Sequence, residues 1–181
     1  MRSLSAVLIA FAVAHGASAA ATAPSPPVYF IGLDGADWQL LDEFIADGSM
    51  PNLARLVAEG SSGILQTEVP AMSPILWTTM MTGVSPLEHR VLDFTRFSPA
   101  DGAREPIGSD DRRSPAVWNI ASWAGKRVGV LGLWATFPAE AVNGVVVSDR
   151  LSSFLGPPGA APAGAVFPTS WEPVRDRKSV V

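Results

Sequence analysis

Short apolar runs alternate with amphipathic stretches along most of the chain. Residues 28 to 33, VYFIGL, form a continuous apolar run that stops at Asp34-Gly35. A run of that length bounded by turn residues predicts a parallel strand buried on both faces. Residues 37 to 47 follow with Leu40, Leu41, Phe44 and Ile45 at helical spacing, and Gly48 supplies a stop. MPNLARLVAEG predicts a second helix, with Pro51 in its first turn and Gly60 at its end. Residues 63 to 69, GILQTEV, predict a strand. SPILWTTMMTG predicts a third helix capped by Ser73, opened by Pro74 and closed by Gly83. Residues 93 to 113 are polar, contain Pro and Gly, and predict irregular structure. SPAVWNIASWAG repeats the helix grammar at Ser114, Pro115 and Gly125, and KRVGVLGL and GVVVSD predict two further buried strands. Strands alternating with helices predict an α/β domain, three-layer α/β/α, with a mostly parallel sheet.

The ends of the chain read differently. MRSLSAVLIAFAVAHGASAA has a basic start at Arg2, an apolar run from Leu4 to Val13 and small residues at Ala17-Ser18-Ala19. That pattern predicts a signal peptide over residues 1–19. The run falls short of the roughly 20 residues that span a bilayer, so no stable membrane span is expected after cleavage; the alternative is an uncleaved anchor. Residues 20–27 predict a stiff Pro-rich leader. The domain then starts at Val28, and the expected location is periplasmic or secreted. At the other end, residues 156 to 174 form a Pro/Gly/Ala-rich stretch predicted to lead into no further element. The last six residues, 176–181, DRKSVV, back-translate as GAT-CGG-AAG-AGC-GTC-GTG, which resembles a sequencing-library adapter read in frame. The expectation is a domain over residues 28–175 that is incomplete at its C-terminus, followed by an artefactual tail.

Composition narrows the chemistry. The chain has 181 residues, is 48% hydrophobic and 17% charged, and carries a net charge of −4. It is therefore long and apolar enough for a real core. Its basic residues form no stripe, so binding to a nucleic-acid polymer is not expected. There is no cysteine, which excludes disulfides and thiolate metal sites and leaves oxygen and imidazole as metal donors.

Two residues carry candidate chemistry. Asp34 stands at the carboxyl end of a predicted strand, where open parallel sheets bind ligands, and its carboxylate could ligate a cation. It could equally cap the helix that starts near Asp37. Ser73 heads a helix, where unpaired N–H groups and the dipole favour an anion and a nucleophilic hydroxyl. Its bland role is an ordinary N-cap. As an ordered set, IGLDGADW, SPILWTTMMTG and the P-x-x-H of Pro86 to His89 resemble the alkaline phosphatase superfamily, in its type I phosphodiesterase/nucleotide pyrophosphatase branch. GKRVGVLGLWATFPAEAVNGVVVSD, residues 125 to 149, is similar to bacterial members. The resemblance covers Val28 to Ser152.

The resemblance implies an alkaline-phosphatase-like fold and a hydrolase of small phosphate esters with two divalent metal ions, usually Zn2+. It implies Asp34 as a metal ligand, and Ser73 as both nucleophile and metal ligand. The sequence departs from the family where many members place an asparagine soon after the nucleophile, since Leu76 stands there. It also holds only two histidines, His15 and His89. His89, Asp93 and Asp149 are the remaining candidates; the competing roles are a structural histidine for His89 and a loop-ordering carboxylate for Asp93. So short a ligand set predicts a poor enzyme from this chain alone. Two rival readings stay open: a sulfatase-like or phosphoglycerate-mutase-like relative, the former lacking its C/S-x-P-x-R motif here, and a non-catalytic extracytoplasmic α/β binding domain. Trp38, Trp77, Trp118, Trp123 and Trp134 are expected in the core or at interfaces, and DDRR at residues 110 to 113 in a solvated loop.

Overall fold

The computed structural model describes residues 26–152 and 162–174. The predicted signal peptide, most of the leader and the DRKSVV tail lie outside the described residues. The chain divides into two units, Met1–Ala36 and Asp37–Val181.

In the first unit, residues 26 to 33 form no regular element and a turn follows at Asp34-Gly35, where Gly35 takes φ +70°. That left-handed conformation suits glycine. Residues 28 to 33 belong to neither sheet, and Val28 is 94% exposed. The expected strand is therefore not formed. An apolar run encodes a need to be covered, but a strand also needs a neighbour's backbone to complete its ladder.

The second unit opens with α1 (Trp38–Ala46), whose cap is Asp37: its carboxylate accepts from Gln39 N–H at 2.8 Å. Pro51 sits at the first position of α2 (Pro51–Glu59). Residues 61 to 68 are exposed and outside both sheets, so the strand expected over 63–69 is also missing. The Trp38 indole N–H donates to Gly63 O at 3.0 Å. In α3 (Ser73–Thr82) the cap falls on Met72 and Ser73 is the first helical residue, one position later than its sequence grammar suggests. The helix ends on the left-handed Gly83 and buries Pro74, Ile75, Thr78 and Met81 along one face. Then comes the single turn α4 (Pro86–His89), at whose start the Glu88 carboxylate accepts from Ser85 N–H at 3.0 Å and from Ser85 Oγ at 2.8 Å.

The stretch expected to be irregular forms a hairpin. Strands β1 (Thr95–Phe97) and β2 (Arg104–Pro106) pair antiparallel, with Arg96 opposite Glu105. Asp101 turns the loop by accepting from Ala103 N–H at 3.0 Å, and Gly102 takes φ +72°. A short 3-10 turn spans Ser109–Asp111, and α5 spans Val117–Trp123. Ser114 does not cap α5. Asn119 does, with Oδ1 accepting from Ala116 N–H at 2.8 Å, while the Ser114 carbonyl accepts from Arg112. The second sheet has the order β3 (Val128–Leu131), β4 (Gly144–Val147), β5 (Val166–Phe167). β3 and β4 are parallel, as the apolar runs predict, and β5 joins β4 antiparallel. β5 arises inside the Pro/Gly/Ala-rich stretch expected to hold no element.

Met81 of α3, Ala116, Trp118 of α5, Val130 of β3 and Val146 of β4 form the main core, with Trp77 packed against it. A second cluster holds Val91, Ile107 and Ala135. Trp134 meets Phe94 edge to face at 5.3 Å, whereas Trp123 is 75% exposed.

Arg112, in the stretch read as a solvated loop, is buried. Its side chain is only 5% exposed and its Nη2 lies 2.7 Å from Glu140. Glu140 also accepts from the Trp118 indole at 2.9 Å and from Asn119 Nδ2 at 3.2 Å. The guanidinium lies over the Trp118 ring at 5.1 Å. A buried charge stripped of its partner costs about 3–5 kcal/mol, whereas an exposed pair contributes about 0–1 kcal/mol. Glu140→Ala is therefore expected to lower unfolding free energy by about 3 kcal/mol or more. Glu105→Gln, which removes the half-exposed partner of Arg96, is expected to cost less than about 1 kcal/mol. Urea titration of the two variants checks the ranking.

Candidate active site

Ser73 owes its place to the pattern around it. Pro74 has no N–H to lose in a first turn and its ring fixes a helical φ. Pro74, Ile75, Thr78 and Met81 anchor the helix by one buried face. Ser73 is half-buried at the leading end of α3, where backbone N–H groups and the helix dipole favour negative charge. Asp34 belongs to the first unit, in the exposed turn with Gly35.

His89 is fully buried. Its Nδ1 accepts from Val91 N–H at 3.1 Å and its Nε2 lies 3.0 Å from Thr79 Oγ1. Both ring nitrogens are thus engaged inside the protein. Asp93 accepts from its neighbour Phe94 N–H at 2.6 Å, and Arg104 stands 3.6 Å from its other oxygen. These contacts order the entry to β1.

Asp149 follows β4 and reaches the loop after β3. Its carboxylate accepts from Ala135 N–H at 3.2 Å and from Thr136 Oγ1 at 3.3 Å. Ala135 has φ +56°, so the carboxylate holds a backbone conformation that alanine rarely adopts. Next to it, Arg150 lies over the Phe137 ring at 4.6 Å and donates to Pro106 O at 2.9 Å. The two side chains join the β3–β4 sheet to the hairpin.

A cavity of about 230 Å³ lies elsewhere, lined by Arg112, Arg113, Ser114, Asn119, Trp123 and Glu140 among others. None of the sequence-predicted site residues lines it. Among the described residues no group of three or more His, Asp or Glu side chains is arranged to hold a metal ion. None of the helices there is long and apolar enough to cross a membrane.

The model of one family, type I phosphodiesterase/nucleotide pyrophosphatase, matches residues 28–177. The chain belongs to that family. Members are phosphoester hydrolases that act on small substrates, and this member has a mixed α/β fold, with two small sheets among the described residues. No curated protein and no solved structure matched the chain. Within this family member, sequence reasoning missed Arg112 and Glu140. The available signal was the facing pattern of charge, Arg112 before α5 and Glu140 after β3, but nothing local marks the two as neighbours.

Burial pushes the Asp149 carboxyl above its ordinary value of 3.8, against the hydrogen bonds and the Arg150 charge that pull it down. A raised folded value means that the folded state holds its proton longer than the unfolded chain. The stabilisation is therefore full below pH 3.8 and is lost as pH rises through the folded value. Asp149→Asn is expected to lack this falling limb, so that wild-type minus variant stability falls as pH rises through the folded value, measured by denaturation from pH 3 upward.

Proposed function

We propose that this chain is a metal-dependent hydrolase of small phosphoric esters, working outside the cytoplasm through Ser73. The observation that carries the reading is the family match over residues 28–177 combined with a serine at the first position of a ten-residue, well-anchored helix. In this reading Ser73 Oγ gives up its hydroxyl proton to solvent and attacks phosphorus in line. The bond to the leaving oxygen breaks, that oxygen takes the electron pair, and the phosphoryl group rests on Ser73 until water displaces it. The helix end supplies fixed positive potential to the phosphoryl oxygens.

The family's two divalent ions, Zn2+ by expectation, would lower the pKa of the hydroxyl and neutralise phosphoryl charge when bound. Asp34 and Ser73 are proposed as ligands. They fit in kind, being oxygen donors that suit a divalent cation. They do not fit in number, since a two-metal site needs several more and no such group is assembled among the described residues. Weak metal binding and slow turnover are the expected consequence. The three-layer α/β/α architecture belongs to the same proposal, supported by the parallel β3–β4 pair and by α5, whose Trp118 shares a core with Val130 and Val146.

The test is the chain incubated with Zn2+ and bis(4-nitrophenyl) phosphate, with nitrophenol release followed and the adduct mapped by mass spectrometry. Release is expected to be slow, zinc-dependent and at least about 100-fold weaker in Ser73→Ala, with the phosphoryl adduct on Ser73. Undiminished release from Ser73→Ala, or an adduct on another residue, would overturn the assignment.

A further inference from the structure

His89 is an ionisable ring with no access to water, at the C-terminal end of α4. A backbone N–H can only donate, so the bond from Val91 N–H to Nδ1 means that Nδ1 carries no proton. The neutral ring then holds its proton on Nε2 and donates it to Thr79 Oγ1. The His89 carbonyl accepts from Arg113 N–H at 3.0 Å. One residue thereby joins α3, the turn after α4 and the segment leading to α5. Thr79 lies on α3 six residues beyond Ser73, about 9 Å of helix rise.

The charges around the ring are divided. Glu68, in the segment ahead of α3, and Glu88, on α4, favour a proton, while Arg112 opposes one. Burial, the largest influence, acts with Arg112 against the two carboxylates and holds the ring below its ordinary value of 6.5. A proton on Nδ1 would point at the Val91 N–H, so that contact cannot survive protonation.

We propose that His89 is a positioning residue, a neutral tie that holds the Ser73 helix in place and is released when acid places a proton on Nδ1. The functional consequence rests on Ser73 being the nucleophile; the tie itself does not. The sign follows from the depressed folded value. Stabilisation by His89 is full above pH 6.5 and is lost as pH falls through the folded value.

The chain's only other histidine is His15, so ring signals are readily assigned. The full chain, labelled with 15N, is titrated from pH 8 to pH 4 by NMR, following the His89 ring, the Val91 amide and the Ser73 amide. The expected result is an Nε2–H ring titrating below pH 6.5. Val91 exchange protection should drop at least tenfold at that midpoint, and the Ser73 amide shift should move with it. His89→Asn puts a non-titrating oxygen near the Nδ1 position, so Val91 and Ser73 are expected to lose that transition. An Nδ1–H ring, a ring titrating at or above 6.5, or a Ser73 signal that ignores the ring would overturn the proposal. The wild-type titration decides this even if the variant does not fold. Should Ser73→Ala keep full esterase activity, the functional reading fails while the ring and amide signals still decide whether the tie exists.

Discussion

The buried Arg112 guanidinium is the constraint on which the arrangement turns. A cation at that depth must be paired, and Glu140 pairs it while also accepting from Trp118 and Asn119. Those contacts fix three segments at once: the stretch before α5, α5 itself, and the loop that carries Glu140 toward β4. The same contacts explain the start of α5. Asn119, held between Arg112 and Glu140, turns its oxygen to the Ala116 N–H, and Ser114 is left to offer only its carbonyl. Packing of Trp118 into the Val130–Val146 core then follows from the same anchoring.

The constraint reaches the candidate nucleophile through the backbone. Arg113, next to the buried guanidinium, donates its N–H to the His89 carbonyl. The His89 ring bonds Thr79 on α3, and Ser73 begins that helix. A polar seam therefore runs from the loop after β3 to the helix proposed to do the chemistry. Its centre, the His89 ring, Asn119 and the Arg112 side chain, is buried and hydrogen-bonded, and such networks are rigid when complete and costly when broken.

Helices α1, α2 and α3 were legible because periodicity, a cap or proline at the start and glycine at the end all agree within a few residues of each other. β3 and β4 were legible as continuous apolar runs. The misses have a common cause. Whether an apolar run such as 28–33 becomes a strand depends on a neighbour that the run does not encode. Whether polar residues are solvated depends on partners far along the chain, as Arg112 shows with Glu140. β5 needs only two residues, Val166 and Phe167, pairing with β4, too few to leave a periodic signal among prolines and glycines. Ser73 and Asp34 stood out through their place in an ordered set of motifs, since either one alone fits an ordinary capping role.

The central claim is that the leading end of α3 receives a phosphoryl group on Ser73. Its most direct test is a crystal structure of the protein grown with Zn2+ and orthovanadate, which takes the five-coordinate geometry of phosphoryl transfer. The account predicts vanadium bonded to Ser73 Oγ, its other oxygens directed at the N-terminal N–H groups of α3. Vanadate bound elsewhere, with the Ser73 hydroxyl left out of its coordination, would contradict it.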